Sequence, residues 1–131
     1  MSIWEKLGFG GYRGFSREAE QLLQQAVELA GSFGCSQADT GHLLLAMLQQ
    51  EQGRHISEQA VRRQLAENRR GPAQHLDRHA MAPDLRRTMD YALIGAQNAH
   101  VSRAEPEHLL CAMLEDDGCT AGLLLASMGV P

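Results

Sequence analysis

The chain has 131 residues, of which 44% are hydrophobic and 5% aromatic, so it can hold one compact domain or two half-domains sharing a core. Its wealth of Leu, Ala, Gln, Glu and Arg favours helices over strands, and a net charge of −4 supplies no general attraction to nucleic acid or to an anionic membrane. No run approaches the roughly 18 apolar residues of a membrane span, and the start MSIWEKLGFGGYRG lacks a signal-peptide pattern. Three cysteines, Cys35, Cys111 and Cys119, form no CxxC pair and point to a reducing compartment, so a cytoplasmic protein is expected.

Residues 1–14, with Gly8, Gly10, Gly11 and Gly14, read as a flexible Gly-rich leader. No Gly-Lys-Ser/Thr follows them, so they are not a phosphate loop. Ser16 is the N-cap of a first helix, with Glu18 and Glu20 near its positive end and Ala19, Leu22, Leu23, Ala26, Leu29, Ala30 and Phe33 as its buried stripe. Gly34 ends it. A second helix starts at Asp39 or Thr40, carries Leu43, Leu44, Met47 and Leu48, and closes near Gly53. Residues 57–69 form a third, capped by Ser57, and Gly71-Pro72 breaks the chain into a connector over 71–80. Pro83 opens a fourth helix with the stripe Leu85, Met89, Ala92, Leu93, Ala96 and Ala99, and Pro106 a fifth. The stretch TAGLLLASMG gives one more short helix, making six and an all-α fold.

The stretch ADTGHLLLAML at 38–48 returns as AEPEHLLCAML at 104–114, an offset of 66 residues. Residues 15–48 slide over 81–114 without a gap and match at Ala26/Ala92, Ala30/Ala96, Ser36/Ser102, Ala38/Ala104, His42/His108, Leu43/Leu109, Leu44/Leu110, Ala46/Ala112, Met47/Met113 and Leu48/Leu114. Such agreement marks a duplicated helical unit, a tandem repeat over 15–70 and 81–131. Leu44 and Leu110, at equivalent positions, are expected to be buried, with the halves related by a pseudo-two-fold rotation.

His42 and His108 follow a helix start in both copies, where an imidazole hydrogen-bonds local backbone, and a structural role is expected of both. His75 and His79, at i and i+4, share a helix face if the connector is helical, but no third ligand accompanies them, so no metal site is expected. Cys111 reads as a small buried hydrophobe and Cys119 as a more exposed thiol. Nothing assembles a nucleophile, a base and an oxyanion site, and no cofactor is implied. Glu105 and Glu107, at a helix start, are the carboxylates singled out for binding, within an acidic stretch that continues through Glu115, Asp116 and Asp117.

Written twice, a helix of small and medium apolar residues, a Gly-containing turn and an "EHLL" helix resemble the N-terminal repeat domain of the Clp-type AAA+ protein unfoldases. The residues that carry the resemblance are FSREAEQLLQQAVELAGSFGCSQADTGHLLLAML and MAPDLRRTMDYALIGAQNAHVSRAEPEHLLCAML, continued by LEDDGCTAGLLLASMGV. The family has four helices per copy, and here the second copy stops before its fourth. The resemblance implies a non-catalytic module that docks protein substrates or adaptor proteins and serves the ATPase ring of a Clp machine; the alternative is a free-standing regulator that binds or competes with such a machine. No G-x-x-x-x-G-K-[ST] occurs, so these residues alone cannot hydrolyse ATP.

Members resembling the ClpC branch bind phosphorylated arginine through a Thr at the start of the first helix and a Glu in "TEHLL", once per repeat. Carried over within each repeat, the sites are Ser16 with Gly41 and Ala82 with Glu107. Each then lacks one of its two anchors, and free phosphoarginine is expected to bind weakly or not at all.

Overall fold

The first helix begins where its cap predicts. The Ser16 hydroxyl accepts the Ala19 N–H at 3.2 Å, and Glu18 and Glu20 face the positive end of α1 (Arg17–Ser32). The computed structural model describes residues 12–49, 62, 72–77, 79–116 and 118–127. Among these residues stand four more helices, α2 (Thr40–Gln49), α3 (Pro83–Asn98), α4 (Pro106–Glu115) and α5 (Thr120–Ser127), and no strand. The helix expected over 57–69 lies outside the described residues, apart from Arg62, which is helical and exposed. The leader is described only from Tyr12, which is buried.

Adding 66 to the bounds of α1 and α2 gives those of α3 and α4, and the backbone contacts between the halves obey the same operation. The Ser16 N–H donates to Ala104 O at 2.8 Å and the Ala104 N–H to Gly14 O at 2.8 Å. Their images are the Ala82 N–H to Ala38 O at 2.7 Å and the Ala38 N–H to Ala80 O at 2.8 Å. Two short parallel bridges, Phe15 with Ala104 and Met81 with Ala38, therefore cross from one half to the other. That residue i of one copy meets residue j of the other, and the reverse, is the signature of two-fold symmetry.

The shared core contains Phe15, Leu22, Leu23, Leu43, Leu44, Leu45 and Met47 from the first half and Leu85, Leu109 and Met113 from the second. Every residue of α2 from Thr40 to Leu48 is buried, as its unbroken apolar run GHLLLAML suits, and it packs against α1, α3 and α5. Its counterpart α4 buries only Leu109, Ala112 and Met113, a narrow i, i+3, i+4 stripe. Leu110 is consequently half-buried, against the expectation of full burial, because it lies about 100° around the helix from Leu109. For the same reason Cys111 is exposed where a buried residue was expected. Cys119 is buried instead, its thiol lying 3.5 Å from Met113 O and 3.3 Å from the Gly122 N–H.

The connector over 72–77 is not helical, so His75 and His79 share no helix face, and both are exposed. It is held at Gly31, whose carbonyl accepts the Gln74 N–H at 2.8 Å, and the Gln74 carbonyl leaves no space for a side chain there. A single carboxylate joins three helices at the other side of the core. Oδ2 of Asp84, in the first turn of α3, accepts the Thr40 hydroxyl at 2.9 Å and the Thr120 N–H at 3.0 Å, while the Thr40 Oγ1 accepts the Ala121 N–H at 2.8 Å.

Both long helices end in the same doubly bonded turn: Cys35 N–H to Ala30 O and Gly34 N–H to Gly31 O, repeated as Val101 N–H to Ala96 O and His100 N–H to Gln97 O. The turn needs a left-handed residue, which is Gly34 at φ 74° in the first half and His100 at φ 57° in the second. Replacing His100 with glycine is expected to stabilise the fold by about 0.5–1 kcal/mol, the relieved strain less the added freedom of the unfolded chain. Thermal melting checks it, and an unchanged or lower midpoint would contradict the assignment. In the core, Leu109→Ala should cost about 2–5 kcal/mol and Leu110→Ala clearly less, measurable by urea unfolding.

Candidate partner-docking site

The two repeat histidines complete their helix starts. His42 Nδ1 accepts the Asp39 N–H at 3.1 Å, and the Asp39 carboxylate accepts the N–H groups of Gly41 at 2.8 Å and His42 at 3.2 Å. This is a capping box with histidine in the place usually taken by Glu or Gln. In the second copy His108 Nδ1 accepts the Glu105 N–H at 2.8 Å. His42 is buried and tilts against Phe33, so it serves the fold, as expected from its placement. Burial disfavours the charged form of the Asp39 carboxyl, but the neighbouring His42 ring and the two backbone N–H groups outweigh it and hold the carboxyl below its ordinary value.

The crossed bridges decide which site residues meet. Ser16 lies beside Ala104 at the approach to α4, so its helix start neighbours Glu105 and Glu107, not Gly41. Ala82 lies beside Ala38, next to Asp39 and Gly41. The grouping within each repeat is thus corrected to one across the repeats. One end of the molecule combines a hydroxyl with two carboxylates; the other combines Ala82, which gives α3 no side-chain cap, with Gly41. Physically, the bridge pairs each first helix with the second helix of the opposite copy, which no comparison of aligned positions reveals.

Within the combined end the residues differ in availability. Ser16 is buried and its oxygen is engaged as the cap, Glu105 is half-buried as the N-cap of α4, and Glu107 is exposed in the first turn. Arg103, which sequence reasoning passed over, reaches the Phe15 carbonyl from its Nη1 at 3.4 Å and so lies across the joint between the two starts. Its only sequence mark is that a cation stands where the first copy has Gln37. The acidic stretch is not uniform either. Asp116 is taken by Arg87, whose Nε donates to Oδ2 at 2.7 Å, and this bond holds the carboxyl below its ordinary value, whereas Glu107 and Glu115 are exposed. Among the described residues no group of His, Cys, Asp and Glu is placed to hold a metal, and no helix is long and apolar enough to cross a membrane.

Solved structures share the overall fold. The N-terminal domain of the caseinolytic protease associated chaperone ClpD from Arabidopsis thaliana superimposes with a TM-score of 0.72 at 19% identity, over 92% of this chain and 90% of that one. The Hsp104 N-terminal domain from Candida albicans gives 0.73 at 20% identity, over 91% of this chain and 84% of that one. At such identities the likeness establishes the fold. The sequence itself matches the Clp repeat (R) N-terminal domain family over residues 14–124, which spans both copies and the crossed bridges between them. The chain belongs to the Clp repeat N-terminal domain family.

Proposed function

We propose that the chain is a non-catalytic docking module of a Clp-type chaperone or protease regulator, acting in the cytoplasm to receive protein substrates or adaptor proteins for the ATPase ring of the machine. The observation that carries this reading is the joining of the α1 and α4 starts, where Ser16, Glu105 and Glu107 form an acidic end built from both copies. Two helix N-termini lend positive potential to the backbone there, while Glu107 projects a carboxylate beyond them. Such an end offers the exposed Glu107 carboxylate, with Glu105 beside it, to a guanidinium or ammonium group on an extended segment. Charge at this position governs encounter more than final affinity, and exposed charges are screened over about 8–10 Å near physiological ionic strength.

The test is a capture of cytosolic proteins on wild type, Glu107→Lys and Glu28→Lys, followed by association rates for any partner found. Glu28 is an exposed acid on α1 and serves as the control for net charge. Glu107→Lys is expected to slow association several-fold and Glu28→Lys to leave it close to wild type, with the wild-type rate falling as salt rises. Equal partners and equal, salt-independent rates across all three would remove Glu107 from the interface.

A further inference from the structure

The two copies differ where their paired helices meet away from the core. In the first, the side-chain amide of Gln25 on α1 donates to that of Gln49 on α2 and spans the space between the helices. The residues 66 positions on are Tyr91 and Glu115, and they leave an open groove of about 300 Å³ lined with Arg87, Ala112 and Asp116. The two copies therefore differ in what stands between their paired helices, a bonded glutamine pair in the first and Tyr91 with Glu115 in the second.

The lining of the open groove selects its occupant. Tyr91 is 53% exposed and presents an aromatic surface beside the buried methyl of Ala112. Arg87, the groove's own cation, is engaged with Asp116 at 2.7 Å. Glu115 is exposed, and among the described residues no cation pairs with it. Arg87, Glu115 and Asp116 together carry a charge of −1, and Asp84 one turn before Arg87 adds to the negative field. Ile94, 50% exposed, lies one turn along α3 from Tyr91, outside the groove's lining. A groove with an aromatic face, an apolar floor and an unmatched carboxylate suits a flat cation on an apolar stem.

We propose that the groove between α3 and α4 takes an arginine side chain of a partner polypeptide, its guanidinium stacked on Tyr91 and paired with Glu115. Arginine fits better than lysine because its planar fork both stacks on the ring and meets a carboxylate with two hydrogen bonds. This site is distinct from the end at Ser16 and Glu107, which lies about 12 Å away along α4 at 1.5 Å per residue.

The test is a titration of the isotopically labelled protein with the peptide acetyl-Ala-Leu-Arg-Leu-Ala-amide, followed by amide chemical shifts, and with the same peptide carrying neutral citrulline in place of arginine. Saturable shifts centred on Tyr91, Ala112 and Glu115 are expected. Glu115→Gln, or the citrulline peptide, should weaken binding roughly tenfold, the weight of one charge-assisted contact. Tyr91→Ala should weaken it several-fold, and Glu28→Gln, at an exposed acid on α1 outside both candidate sites, should leave it within about twofold. Thermal melts of the variants establish that each remains folded. The proposal is overturned if no saturable shift appears, if the shifts centre on Ser16 and Glu107 instead, or if citrulline binds as well as arginine.

Discussion

Two crossed backbone pairings between the halves decide which helix starts stand side by side in this domain. Ser16 bonds to Ala104 and Ala82 to Ala38, so the approach to each first helix runs beside the approach to the opposite second helix. A repeat of this size cannot bury its own apolar face alone, and exchanging neighbours across a two-fold axis lets both copies share one core. The pairing involves backbone groups that any sequence supplies, which lets side chains around it diverge. Each bridge sets a large side chain, Phe15 or Met81, against an alanine, Ala104 or Ala38.

Divergence has then treated the two copies unequally. The helix α2 is enclosed on every side, while α4 turns Cys111, Leu114 and Glu115 outward. The first copy keeps glycine at its left-handed turn, and the second accepts His100 there at some cost in strain. Asp84 has no counterpart of equal effect, because the equivalent Glu18 is exposed, whereas Asp84 ties the starts of α2 and α5 to α3. The first half supplies more of the fully buried large side chains among the described residues. The other carries more of the polar and aromatic surface through which a partner can be met.

Much of this was legible in the residues, and the reasons for what was not are local. The caps at Ser16, Pro83 and Pro106, the apolar stripe of α1 and the repeat itself are written in spacing and end chemistry, which depend on neighbours three and four residues away. Burial within the second helices was not readable, since both copies have nearly the same letters, and the difference between Leu44 and Leu110 comes from what packs around them. The histidines were rightly read as structural, for a residue repeated beside two helix starts has a backbone partner ready to hand. The grouping of Ser16 with Glu107 was missed because it depends on contacts 88 or more residues apart in sequence, such as that of Arg103 with Phe15. The connector was legible as a break between the copies, and its described residues 72–77, anchored by Gln74 at Gly31, are not helical.

Hydrogen exchange of four backbone amides tests the crossed arrangement most directly. The N–H groups of Ser16, Ala38, Ala82 and Ala104 each donate across the pseudo-two-fold axis, so each should open only when the shared core does. The account predicts slow exchange at all four, with opening free energies close to that of global unfolding and alike within each symmetric pair. Exchange at the rate of an exposed loop at any of these amides would contradict the crossed pairing, and with it the joining of Ser16 to the start of α4.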